Sequence, residues 1–533
     1  MTENVFITTN VRKAQPVAVN WTRAFWQMFA WVFVLRVAFV LTFPCDLSGD
    51  EAYYWEWGRH LAWGYFSKPP FIAWIMALAG WTGGNTAIGL RLWAALLGSG
   101  SMLVTFFLAR RVYCAKTGFW SAALIAAMPG AVLLNLVLTI DAPLVFFWVA
   151  ALFCFHVLIK DGDTRKRVAA AIGLFLVLGL GHLSKQIMWL FPPLAFLYLV
   201  FDGPDGRAKL RSPLLWFVMV ASYLFLVPTI LWNAHHGWIT FLHTGHHFKG
   251  DGFLSFPKNF GGFLGMQFGA LSPLTAILVL GLSVAGLFSW RKMASRERFL
   301  VTFSGLPVAV VLLLTLRQTI NGNWPAAFYP AGAILVAGWA FSDSGNGIRF
   351  PLGLRKWLKP ALWVSVGCTA LILLLTFSFS AFGLQGLKID PYARIRGWKA
   401  FAAQVDTFRK SAPRTDAPII VVGHRYYASE LAFYLPGQPR VYHWTAPGAI
   451  DSQYEIWGGL NKLSGQDVLI ISTNKDGEIP TDLRACLAGS SPRGEAVYEI
   501  GHGRKLKGTV YWSSFIGLPK SADNGNDGED NDE

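Results

Sequence analysis

Charge is what this sequence has least of. Only 14% of its 533 residues are Asp, Glu, Lys or Arg, against about a quarter in an ordinary soluble domain. A water-soluble chain of this length is therefore excluded. Acid is scarcer than base, with 31 Asp and Glu against 46 Lys and Arg and a net charge of +15. Such a balance can signal nucleic acid. Here the bases cluster in short loops between apolar runs, the pattern of membrane orientation, so no nucleic-acid partner is expected. Cysteine is also rare: Cys45, Cys114, Cys154, Cys368 and Cys486. Their spacing matches no metal motif. Cys114 and Cys154 fall in or near different membrane elements, so packed, unpaired thiols are expected rather than a disulfide framework. No internal repeat is found, which disfavours a transporter built from inverted halves. Met1–Asn20 is polar and weakly basic and lacks a short apolar segment ending in small residues. No cleaved signal peptide is expected, and the first span serves as the export signal.

What the chain has in abundance is apolar and aromatic surface: 53% hydrophobic residues, 24 Trp and 41 Phe. A spanning helix needs roughly 20 apolar residues. By that rule the sequence predicts about eleven spans, over 24–43, 86–108, 118–135, 142–160, 168–184, 186–201, 213–232, 264–289, 299–316, 324–342 and 358–382. Charged residues are expected at span ends. With Arg12, Lys13 and Arg23 in the cytoplasm, every alternate loop is basic: Arg110–Lys116, Lys160–Arg167, Arg207–Arg211, Arg291–Arg298 and Arg349–Lys359. The positive-inside rule then fixes a cytoplasmic N-terminus. An odd number of spans puts the C-terminal part outside.

The unusual polar segments all fall on that outer face. They are SGDEAYYWEW (Ser48–Trp57), Asp141 in TIDAPLVFFW, Lys185 in LSKQ, the His-rich loop Asn233–Gly265, and RQTINGNW (Arg317–Trp324). After residue 382 the composition changes. APIIVV (Ala417–Val422) and DVLIIS (Asp467–Ser472) read as buried strands, and Tyr426–Tyr434 as a short helix. The expected organisation is a membrane module over 1–385, a small α/β domain outside the membrane over 386–520, and a disordered acidic tail over 521–533.

Each candidate residue has a plain reading and a chemical one. Asp50 and Glu51 suit the first turn of a helix as caps. Adjacent acids beside lipid are costly, though, and are usually kept for use. A carboxylate here can accept the proton of an acceptor hydroxyl. Tyr53, Tyr54 and Trp57 suit carbohydrate stacking or an interfacial helix. Lys68, in GYFSKPP, is a snorkelling lysine or a phosphate contact held by Pro69 and Pro70. Asp141 opens a span, so capping competes with a catalytic role. Lys185 and Arg317 can bind phosphate, or merely lipid headgroups or a helix end. His235, His236, His243, His246 and His247 invite a divalent metal, with His243 and His247 spaced i,i+4. No carboxylate or Cys completes an obvious set, so no metal ligand is assigned.

These motifs, with WNAHHGW and NGNWPAAFYPA, resemble the bacterial glycosyltransferase family 39 group within the GT-C class. That group includes protein O-mannosyltransferases, lipid A aminoarabinose transferases and rhizobial galacturonosyltransferases. The resemblance covers about residues 20–345. PYARIRGWKAF and SELAFYLPGQP resemble bacterial members with an appended periplasmic domain. The resemblance implies a polyprenyl-phosphate sugar donor, Asp50 as base, Lys68 on the donor phosphate and Asp141 as the second acid. Tyr53 and Ser67 stand where aminoarabinose transferases carry Arg and a metal-holding Glu. With those two departures, the resemblance leaves both a divalent metal and the identity of the sugar open.

The expectation is therefore an α-helical polytopic membrane protein of the GT-C type in a bacterial inner membrane. It transfers a sugar with inversion to a lipid A, core, other polysaccharide or protein hydroxyl at the periplasmic face. Its candidate residues are Asp50, Glu51 and Asp141 for catalysis, and Lys68, Lys185 and Arg317 for the donor phosphate. Tyr53, Tyr54, Trp57, His236, Asn323 and Trp324 are the candidates for contact with substrate. The alternative is a transporter or flippase of lipid-linked glycans.

Overall fold

A computed structural model describes residues 19–246, 252, 255–342 and 345–518. The expected acidic tail, Arg12 and Lys13, and His247 lie outside the described residues. Six described helices are long and apolar enough to cross a bilayer: Trp21–Thr42, Ala87–Val112, Asp141–Lys160, Pro213–His235, Ser295–Leu314 and Leu352–Ala381. A seventh arises if Phe256–Leu271 and Pro273–Phe288, bent by 114°, form one broken span. The bend has a local cause. Ser272 adopts φ 69° and precedes a proline, which lacks the N–H needed to continue the first helix.

The remaining expected spans are shorter or interrupted. Residues 118–135 divide into Ala115–Ala127 and Pro129–Leu134. Residues 324–342 begin with the tight turn Trp324–Phe328 before Tyr329–Ala340. The helix over Thr164–His182 carries Arg165, Lys166 and Arg167 in its first turn, which shortens its apolar stretch. Trp31 (69%), Phe217 (69%) and Trp363 (71%) project outward, the arrangement expected of side chains that meet hydrocarbon. Inside, Trp148, Phe191, Phe299 and Phe303 pack into one large apolar core. One charge departs from the span-end expectation. Arg36 is buried within the first helix and donates to Ser99 at 3.0 Å.

The C-terminal part is a five-stranded sheet of β1 (Ile419–Val422), β2 (Val441–Trp444), β3 (Gln466–Ser472), β4 (Ser491–Gly501) and β5 (Arg504–Phe515), in the order β2-β1-β3-β5-β4. β1 pairs parallel with β2 and β3, and β5 runs antiparallel to β3 and β4. Strand alternation divides the side chains. Ile420, Val422, Val468 and Ile470 face a small core with Leu483 and Phe515. Ile419, Val421, Leu469 and Ile471 face the helices Trp398–Ser411 and Arg425–Tyr434. That second core continues into the membrane module through Trp55, Trp57, Ile72 and Met76. The sheet domain is thus seated on the first polar loop.

Candidate functional site

The site begins where the first span ends. Ser48 caps the helix Gly49–Arg59: its Oγ accepts the Glu51 N–H at 3.3 Å, and its own N–H donates to Glu51 Oε2 at 2.9 Å. This reciprocal box satisfies backbone donors that a helix start leaves open. Glu51 is fully buried and also pairs with Arg91 at 3.1 Å and accepts the Leu138 N–H at 3.3 Å. Arg91 in turn donates to the Cys45 and Asp46 carbonyls at 2.9 and 2.6 Å. Glu51 is therefore committed to the scaffold. The expectation of a joint Asp50–Glu51 catalytic pair is corrected, because successive helical residues point about 100° apart. Asp50 is half-buried and accepts a 2.9 Å hydrogen bond from the Tyr426 hydroxyl of the C-terminal domain.

Three further loops meet nearby. Asp141 opens its helix, and Lys185 Nζ lies 2.6 Å from its Oδ1. Asn323 Nδ2 donates to Asp141 Oδ2 at 2.7 Å. The loop carrying Lys68 is tied to the Lys185 turn by Phe71 N–H donating to the Leu183 carbonyl at 3.0 Å. Burial lowers the Lys68 ammonium to about 8; Lys185 and Arg425 push the same way, while Asp141 and Asp50 oppose them. Lys68 thus feels the charges of Asp50, Asp141, Lys185 and Arg425 together. Three cations against two carboxylates leave a site suited to an anion. Tyr54 lies within the field of Asp50, Asp141 and Tyr426; burial first, then those charges, keep its hydroxyl protonated as a donor.

Several expected contacts are placed elsewhere. Tyr53 and Trp57 are buried. The Tyr53 hydroxyl accepts the Gln453 N–H at 2.6 Å, and Trp57 stacks on Tyr65 at 4.4 Å. They form the seat of the sheet domain, so the expectation that they stack on sugar is corrected. His236 stacks on Trp232 at 3.9 Å and engages that residue's carbonyl at 2.7 Å. Trp324 packs against the helical core. Arg317 is exposed beyond the Ser295–Leu314 helix and forms no ion pair among the described residues.

The histidines are dispersed too. His235 is exposed, His243 lies against Phe66 at 4.6 Å, and the His246 side chain is outside the described residues. Among the described residues, no group of three or more His, Cys, Asp or Glu could hold a metal ion. A divalent cation at Asp141 would also have to displace an ammonium 2.6 Å away. The residues present do not fit one.

Two residues escaped the sequence reading, Arg425 and Tyr426. The local signal, HRYY at the start of a helix, gave no link to Asp50. The link depends on Gly49, where a Cβ would come 2.3 Å from the Tyr426 ring.

A family model described as dolichyl-phosphate-mannose-protein mannosyltransferase matches residues 67–232. A lipid A galacturonosyltransferase, RgtD of Rhizobium johnstonii, is 31% identical over 321 residues, covering 58% of this chain and 64% of that protein. The match therefore spans a little under two thirds of that relative. ArnT from Cupriavidus metallidurans in the apo state superimposes with a TM-score of 0.61 at 17% identity, covering 92% of this chain and 98% of that one. The same protein bound to undecaprenyl phosphate gives 0.59 at 16% identity, covering 93% and 98%. These two likenesses establish the fold.

Proposed function

We propose that the chain is a membrane glycosyltransferase of the GT-C class, which the family-model match, the relative and the shared fold support, and that it transfers a sugar from a polyprenyl-phosphate donor to a hydroxyl of lipid A. The observation that carries this reading is the cluster of Asp50, Lys68, Asp141 and Lys185, two of whose loops also contribute residues to an apolar groove. That groove holds about 390 Å³ and is lined by Trp63, Trp74, Leu183, Leu224 and Phe225. Trp63 lies five positions before Lys68, and Leu183 two before Lys185. A prenyl chain in the groove would bring its phosphate to those two lysines.

In this mechanism Asp50 accepts the proton of the acceptor hydroxyl as the oxygen attacks the anomeric carbon from the face opposite the phosphate. The C–O bond to phosphate breaks, and Lys68 stabilises the charge that develops there. The phosphate leaves as an anion and needs no general acid. Asp141, fixed by Lys185 and Asn323, orients the acceptor. The name of the relative RgtD supports a uronic acid as the sugar and lipid A as the acceptor.

Orientation follows from charge. The Asp141–Lys160 helix has the cluster at one end and Lys160 at the other, where Lys160 meets Ser295 at 2.8 Å and Asp202 at 3.5 Å. The basic loops gather at that second end, which the positive-inside rule assigns to the cytoplasm. The cluster and the sheet domain then face the periplasm of a bacterial inner membrane.

The test is turnover of a synthetic polyprenyl-phosphate uronosyl donor by purified protein with lipid A, alongside mass spectrometry of lipid A with and without the gene. Expected is a mass gain of one uronosyl residue that depends on the gene. An unchanged lipid A in both experiments would rule the reading out.

A further inference from the structure

Arg425 is the one cation of the cluster supplied from outside the membrane module. It opens the helix Arg425–Tyr434, capped by His424, whose Nδ1 accepts the Tyr426 N–H at 3.2 Å. Its guanidinium lies over the ring of Tyr53 at 5.3 Å and over that of Tyr426 at 5.0 Å. Two aromatic faces therefore hold it in place. It forms no ion pair among the described residues; a hydrogen bond joins it to the Tyr426 side chain, and its Nε alone is buried without a hydrogen-bond partner. By contrast, Lys185 already has Asp141 at 2.6 Å. A buried donor without a partner weakens a fold unless something arrives to satisfy it.

The fork of a guanidinium matches a planar oxyanion through two parallel hydrogen bonds. Its position is also defined. The neighbouring Tyr426 hydroxyl donates to Asp50 and its ring lies under the Arg425 guanidinium at 5.0 Å, so one tyrosine joins Arg425 to the proposed base. Lys68 lies close enough to feel its charge. A donor whose phosphate rests on Lys68 would leave Arg425 facing the sugar. We propose that Arg425 recognises a carboxylate on the transferred sugar, which makes the C-terminal domain the reader of a uronosyl donor. This rests on the glycosyl-transfer reading above and deepens it.

Wild type, Arg425→Gln and Arg425→Lys are compared as full-length purified proteins. Each is given a uronosyl polyprenyl phosphate and the matching neutral hexosyl polyprenyl phosphate. Binding is measured as well as turnover, with undecaprenyl phosphate alone as the third ligand. Charge-assisted hydrogen bonds of this kind predict that Arg425→Gln loses roughly ten- to a hundredfold more on the uronosyl donor than on the neutral one. Arg425→Lys should fall between, because charge survives without the fork. Retained affinity for undecaprenyl phosphate alone shows that the variants still fold and that the phosphate is held elsewhere.

Equal losses on both donors would overturn the inference. Equal weakening toward undecaprenyl phosphate alone would assign Arg425 to the phosphate and overturn it as well. The binding arm separates the two proposals. Selective uronosyl binding lost in Arg425→Gln, in a protein that transfers nothing to lipid A, would sink the acceptor assignment and leave this inference standing.

Discussion

The Tyr426 hydroxyl donates to Asp50 Oδ1 at 2.9 Å across 376 positions of sequence. The proposed base is therefore held by a side chain from a domain outside the membrane. Asp50→Asn keeps the shape and removes the proton acceptor, so turnover should fall roughly 10²–10⁴-fold while the protein still folds. Tyr426→Phe should lower kcat by roughly tenfold or more, with less effect on KM, since a hydrogen bond to a charged group is worth about 1.5–3 kcal/mol. Steady-state kinetics of both variants decide this, and near-normal activity in Asp50→Asn removes it from the base role.

Lys68 links the site to pH. Its ammonium is lowered to about 8, chiefly by burial, so it is charged below that pH and loses its proton above it. If it holds the donor phosphate, KM for the donor should rise as pH passes upward through about 8. Lys68→Arg should flatten that rise, because arginine stays charged. Lys68→Ala should impair kcat as well as KM. A donor KM independent of pH in the wild type would transfer the phosphate to another cation.

Glu51 and Asp50 are neighbours with opposite expectations. The Glu51–Arg91 pair has side-chain exposures of 0% and 3%. Removing one partner of a buried pair typically costs about 3–5 kcal/mol. Arg91→Met should therefore lower the melting temperature markedly, and Asp50→Asn should not. Thermal unfolding in detergent compares them. Equal melting temperatures would return Glu51 to the list of available acids.

The cluster of Asp50, Lys68, Asp141, Lys185 and Asn323 was legible because ionisable and amide groups beside lipid are costly and stand out against apolar runs. Arg425 was not legible, since an arginine on an outer domain has no such contrast. Tyr53 and Trp57 misled for a related reason. Packing against another domain and stacking on a sugar use the same aromatic residues, and composition cannot separate the two. The strands β1 and β3 stood out as short apolar runs, whereas the β4–β5 hairpin, richer in Lys, Arg and Glu, did not. Hydropathy also merged helices that Pro129 and Pro273 divide, so spans were counted that the structure interrupts.

Glu56 gives the docked domain its own pH dependence. Tyr454 donates to Glu56 Oε2, and burial raises this carboxyl from 4.5 to about 8. Between those values the folded state keeps a proton that the unfolded state has lost. The contribution to stability is full below 4.5 and fades as pH rises through about 8. The wild type should melt lower at pH 9 than at pH 6, and Glu56→Gln should reduce the difference. Differential scanning fluorimetry across that range tests it; an identical slope in Glu56→Gln would show that other groups set the dependence.

Orientation can be checked chemically. A cysteine placed at position 46 or 245 should react with an impermeant thiol reagent added to intact cells after outer-membrane permeabilisation. One at position 163 should be protected until the inner membrane is opened. The reverse pattern would put the cluster in the cytoplasm.

Gly49 carries a consequence for descent. Its missing Cβ is what lets the Tyr426 ring lie against the helix that bears Asp50. The sheet domain therefore cannot be traded between relatives as an interchangeable cassette. A chimaera that imports a foreign outer domain should need a matching first loop, and one that puts alanine at position 49 should hold the two halves apart. Where such chains diverge, the residue at 49 and the ring opposite it are expected to change together, and this co-inheritance can be read from sequence alone.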